Sequence, residues 1–70
     1  MIDDNKFSMK IKQLRVEKLM MSQEEFANLL GISFQSVNRY ENNKSKPTFK
    51  IRRKIVELME KNGIEVGTNE

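Results

Sequence analysis

The sequence predicts an all-α domain, a small compact bundle of four helices, or five. Three observations carry this. Glycine and proline are scarce, three and one in 70 residues. No useful stretch alternates apolar and polar residues as a half-buried strand does. Apolar residues instead recur at helical spacing between short polar breaks.

A first helix is expected from Ser8, a good N-cap, to about Met20. Ile11, Leu14 and Lys18 fall on one side of it, with Leu19 close by. Phe7 packs at its entry. The second helix has a sharper start. Ser22 is followed three residues later by Glu25, the capping-box pattern. Phe26, Ala27, Leu29 and Leu30 supply its apolar stripe, and Gly31 ends it in the left-handed conformation. The third helix starts after the N-cap Ser33 and runs from about Phe34 to Asn42. Val37 and Tyr40 point one way. Gln35, Asn38, Arg39 and Asn42, spaced i, i+3, i+4 and i+7, share the opposite face. Asn42-Asn43 breaks the helix, and Lys44-Ser45-Lys46-Pro47 is a loop. The fourth helix, capped by Thr48, runs to Lys61 or Asn62. It buries Ile51, Ile55, Leu58 and Met59, with Phe49 and Val56 at the margins. Gly63 ends it. Residues 1–7 thus read as an N-terminal extension, 8–62 as the domain and 63–70 as a tail.

Composition removes several function classes. A chain of this size has one small core and buries about 60% of the surface its unfolded form exposes. It has no cysteine and no histidine. Disulfides, thiolate nucleophiles, the usual zinc sites and histidine acid–base work are excluded. The acids are scattered, and none forms a pair at useful helical spacing with a basic partner in a cleft. No catalytic residue, metal ligand, cofactor or small-molecule substrate is expected. No apolar run approaches the ~20 residues of a membrane span. The opening MIDDNKF is acidic and polar, unlike a secretory signal. A reduced, soluble, cytoplasmic chain is the expectation.

The charge is unevenly placed. The net charge is +3, yet residues 33–56 hold seven basic groups and one acid. These are Arg39, Lys44, Lys46, Lys50, Arg52, Arg53 and Lys54 against Glu41. A basic field confined to one third of a chain suits a polyanion, most often nucleic acid.

The informative segment is residues 23–42. Two short helices flank the turn Gly31-Ile32-Ser33-Phe34. Ala27 is small where the helices cross closely, because a larger side chain would hold them apart. Gly31 comes four residues later, where the reversal wants a positive φ. Val37 faces back into the crossing. This is helix-turn-helix spacing.

The segments SQEEFA (22–27), LLGIS (29–33) and SVNRYENNKSKP (36–47) resemble the XRE family of helix-turn-helix proteins, with the lambda-repressor-like fold. The resemblance spans about residues 11–60. It implies bacterial or phage duplex-DNA binding with the third helix in the major groove. It places Phe34, Gln35, Asn38 and Arg39 at base edges. It places Gln23, Asn42, Lys44 and Lys46 at phosphates, where the hydroxyls of Ser33 and Ser36 are also expected. The chemistry agrees: glutamine pairs with adenine, arginine with guanine, and Phe34 suits a thymine methyl. Arg52, Arg53 and Lys54 read as a solvated helix face.

Two departures from the family pattern bear on the site. Relatives usually carry an arginine seven residues before the glutamine that opens the second helix, paired with the glutamate matching Glu41. Here Arg15 is eight residues before Gln23, and Val16 holds the usual place. Either the turn at Leu19–Met21 is one residue longer or the pair is absent. Relatives also often read Trp-Glu-Asn-Gly where this chain reads Tyr40-Glu41-Asn42-Asn43. Asn43 is expected to keep the left-handed turn.

The function expected is a sequence-specific transcriptional regulator, a repressor, binding duplex DNA as a homodimer. The alternative is an antitoxin or other interaction module of the same fold, with Phe34, Met20 and Met21 as the surface for a partner protein. No membrane partner is expected.

Overall fold

A computed structural model describes residues 4–66. Four α-helices form the domain: α1 (Asp4–Gln13), α2 (Gln23–Leu30), α3 (Phe34–Glu41) and α4 (Phe49–Lys61). A π-helical turn, Leu14–Lys18, continues α1. There is no strand among the described residues. No helix is long and apolar enough to cross a membrane among them either.

The first helix differs from expectation at both ends. It starts at Asp4, so Ser8 is no N-cap. Ser8 lies mid-helix and buried, its Oγ donating to Asn43 Oδ1 at 3.4 Å. The earlier start brings Phe7 into the core beside Ile11 and Leu14, at i, i+4 and i+7. At its far end the α-helix stops at Gln13, and Leu19 N–H bonds the Leu14 carbonyl at 2.9 Å, five residues back. This wider turn holds one residue more than an α-turn and shifts the helical phase of the residues beyond it. Lys18, expected beside Leu14, is therefore exposed, while Leu19 packs against the core.

The second helix starts as expected. Ser22 Oγ accepts from Glu25 N–H at 3.0 Å, and Glu25 Oε1 accepts from Ser22 N–H at 2.8 Å. Gly31 ends α2 with φ 76°. Phe26, Ala27 and Leu30 are buried, but Leu29 is about half exposed, one step beyond the inward stripe. Ser33 caps α3, its Oγ accepting from Ser36 N–H. Val37 and Tyr40 enter the core. Thr48 has extended N-cap geometry, yet its hydroxyl makes no capping bond. Of the four apolar residues expected inward on α4, Ile55 and Met59 are buried, whereas Ile51 and Leu58 pack at the core's edge. Phe49 is 79% exposed.

The core extends past Gly63. Ile64 is buried, and its N–H closes on the Met59 carbonyl at 2.8 Å. Val66 packs beside it, and Lys10 Nζ donates to the Glu65 carbonyl. The expected tail thus begins as a strap across α1. Its last residues, 67–70, and the start of the expected N-terminal extension, 1–3, lie outside the described residues.

Candidate nucleic-acid interface

The turn between α2 and α3 fixes the site. Ala27 is 2% exposed and Val37 fully buried, so the two helices meet closely. Gly31 and Ile32 N–H groups bond back to the Asn28 and Ala27 carbonyls, ending α2 within one residue. The core-facing side of α3 is thereby committed, and its other face is left outward. Gln35, Asn38, Arg39 and Asn42 are all exposed on it, and Phe34 at its start is 45% exposed.

These outward residues differ in what holds them. The side chains of Gln35 and Arg39 have no hydrogen-bond or ion-pair partner among the described residues. Asn38 and Asn42 are tied together, Asn42 Nδ2 donating to the Asn38 carbonyl at 2.8 Å. Ser33 and Ser36 share a hydrogen bond between their hydroxyls, 3.0 Å apart. One hydroxyl proton of that pair remains to be donated elsewhere.

Behind the helix sits an ion pair. Arg15 Nε donates to Glu41 Oε2 at 2.6 Å and Nη2 to Oε1 at 3.0 Å. The side chains are only 12% and 4% exposed. The extra residue between Arg15 and Gln23 does not break the pair, because the π turn absorbs it. Two further features close the longer connection. Met21 N–H reaches the Arg15 carbonyl at 2.9 Å, and Met20 takes φ 53°. Arg15 Nη1 then bonds the Met21 carbonyl at 2.9 Å. Of the expected partner surface, Met20 is 83% exposed, whereas Met21 is half-buried against the core.

Gln23, expected at a phosphate, is half-buried at the first position of α2. Its Nε2 donates to Glu41 Oε1 at 3.1 Å, so the same ion pair orients it. Neither Arg15 nor Glu41 was expected to act on the outward face of α3. The signal was the glutamate next to Tyr40, inside a basic segment.

The loop after α3 carries the cations. Asn43 has φ 59°, as expected. Lys44 N–H bonds the Arg39 carbonyl at 2.8 Å, which turns the chain away from the helix axis. Asn43 also ties this loop to α1: its Nδ2 donates to Asn5 Oδ1, and its Oδ1 accepts from Ser8. A glycine here would provide the turn but not these bonds. Lys44 and Lys46 are exposed on the loop. The adjacent basic residues Arg52, Arg53 and Lys54 of α4 diverge. Arg52 lies over the Phe7 ring at 4.1 Å and is half-buried. Lys54 Nζ reaches the Leu30 carbonyl at the end of α2. Arg53 is exposed.

The arrangement is a protruding helix with polar, hydrogen-bonding side chains and a cationic loop at its end. Such a surface fits a groove flanked by phosphates. No curated protein and no solved structure matches the chain. A family model described as Helix-turn-helix matches residues 11–65, so the chain belongs to the XRE-family helix-turn-helix proteins and is a DNA-binding regulator of that family, with double-stranded DNA as its partner.

Proposed function

We propose that the chain is a sequence-specific transcriptional repressor, bacterial or phage-encoded, that reads the major groove with α3 as a homodimer in the bacterial cytoplasm. The observation that carries this is the unpartnered state of Gln35 and Arg39 on the outward face of α3. An arbitrary surface helix tends to pair such side chains along itself. Here they stand free beside a cationic loop, with valences that match adenine and guanine edges. Phe34 meets a thymine methyl at the start of the helix. Gln23, Ser33, Ser36, Asn42, Lys44 and Lys46 contact the flanking phosphates. A single module of this kind buries about 600–1,000 Å² on DNA, which is modest. Two copies on half-sites one DNA turn apart supply the rest of the affinity.

The test is selection of duplexes from a randomised pool at about 150 mM salt, where non-specific attraction is weakened. The expected result is an enriched inverted repeat with half-sites about 10–11 bp apart. Gln35→Ala and Arg39→Ala each change the preferred base at one position per half-site. Unchanged preference in both variants would refute base reading by α3.

A second reading, an antitoxin or other module that also binds a protein, is favoured by the exposure of Met20 and Phe34. Co-purification of a stoichiometric partner that is displaced by Met20→Ser would select it.

A further inference from the structure

Five side chains behind and on α3 form one line of hydrogen bonds, and its polarity is fixed from both ends. At the inner end Arg15 grips Glu41, whose carboxylate only accepts. Gln23 must therefore turn its amide nitrogen to Glu41. That leaves Gln23 Oε1 facing Asn38, and Asn38 Nδ2 donates to it at 3.4 Å. At the outer end the Asn38 backbone carbonyl, also an acceptor only, takes Asn42 Nδ2. The same nitrogen lies 3.3 Å from Asn38 Oδ1, which accepts. Two independent acceptor-only groups thus demand one and the same orientation of the Asn38 amide.

We propose that this relay makes Asn38 a pre-oriented adenine reader, with Gln23 as the positioning residue that sets its orientation. The proposal rests on the reading of α3 as the base-contacting helix. An asparagine amide has two N–H donors and two acceptor lone pairs. One donor is committed to Gln23 and one lone pair to Asn42. One donor and one acceptor remain. Adenine offers the complementary pair in the major groove, N7 as acceptor and the N6 amino group as donor. Guanine offers two acceptors and leaves the Asn38 oxygen without a partner. Thymine offers an acceptor and cytosine a donor, so each satisfies half. Gln35 and Arg39 lack such supports and adjust to the base they meet. Asn38 meets its base already oriented, so its preference depends on residues that do not touch that base.

The experiment repeats the duplex selection with the wild-type chain, Asn38→Ala and Gln23→Met. Methionine keeps the length of the glutamine but offers Asn38 no amide oxygen. The expected result is a position where the wild type prefers adenine about tenfold or more and Asn38→Ala does not. Gln23→Met lowers that one preference about three- to tenfold and leaves the positions set by Gln35 and Arg39 intact. If Gln23→Met weakens every sequence equally with an unchanged profile, Gln23 is a phosphate contact only and the proposal fails. It fails also if the position governed by Asn38 prefers another base. A wild-type chain with no site preference defeats the reading of α3 itself, and the relay's role with it. Should Gln23→Met not fold, the free wild-type chain decides by NMR. A held Asn38 amide shows side-chain protons that exchange with water more slowly than those of Gln35, and exchange at the same rate as Gln35 overturns the proposal.

Discussion

Arg15 and Glu41 form a two-pronged ion pair at 2.6 and 3.0 Å, although Arg15 is one residue out of the register in which such a pair usually forms. The π turn at Leu14–Lys18 and the left-handed Met20 together take up the surplus residue. The pair joins the first helical segment to the end of α3 and holds Gln23 between them. It is close to fully buried, so each partner depends on the other.

Removing one partner should be costly. Glu41→Ala leaves the Arg15 guanidinium nearly buried without its carboxylate. A loss of about 3 kcal/mol in unfolding free energy is expected, read by urea denaturation. In a domain of this size that lowers Tm by more than 10 °C. A loss below about 1 kcal/mol would show that water reaches the site and that the pair contributes little.

Met20 sits at φ 53° with its side chain 83% exposed. It gives up almost no packing and carries left-handed strain of about 1–2 kcal/mol. Met20→Gly should therefore leave stability unchanged or raise it by up to about 1 kcal/mol, since glycine's extra freedom in the unfolded chain offsets part of the relief. Met20→Val should lower stability by about 1 kcal/mol. Equal effects of the two substitutions on thermal unfolding would contradict this account of the turn.

Gly31 presents the reverse case. A Cβ there would meet nothing within 4 Å, so the need is for φ 76° alone. Gly31→Ala should cost about 1 kcal/mol, and Gly31→Asn distinctly less, because asparagine tolerates this conformation. A loss of several kcal/mol on Gly31→Ala, measured by urea denaturation, would mean that crowding rather than backbone angle selects the glycine.

Phe7 tests where the folding unit begins. It is 6% exposed, packs with Ile11 and Leu14, and supports Arg52 on its face. Phe7→Ala should cost about 3 kcal/mol, as for other buried phenylalanines. Stability within 0.5 kcal/mol of wild type, roughly the range of surface substitutions, would return residues before Ser8 to the status of an appendage.

Lys44 stands on the loop beyond α3, where a phosphate contact is proposed. Lys44→Ala should weaken binding by a similar factor for all DNA sequences. It should also reduce the log–log salt slope by about 0.9. Titrations at several salt concentrations check both. A changed base preference would move Lys44 into the groove.

Much of this protein was legible in its sequence because the signals are local. The Ser22/Glu25 capping box needs residues three apart, and Gly31 needs only its own backbone angle. The close crossing at Ala27 and Val37 comes from side-chain size at a fixed spacing. The outward face of α3 comes from helical phase once Val37 and Tyr40 are buried. What local pattern could not give was the first helix and its connection. Ser8 has the chemistry of an N-cap, but Phe7 gains more by entering the core, so the helix starts earlier and the hydroxyl turns to Asn43. A one-residue surplus can be absorbed in several ways at similar local cost. Only the attraction between Arg15 and Glu41, 26 residues apart, selects the π turn with Met20 left-handed. The same holds for the relay to Asn38: sequence supplies the amides, and their orientation is decided by acceptor groups that folding brings together.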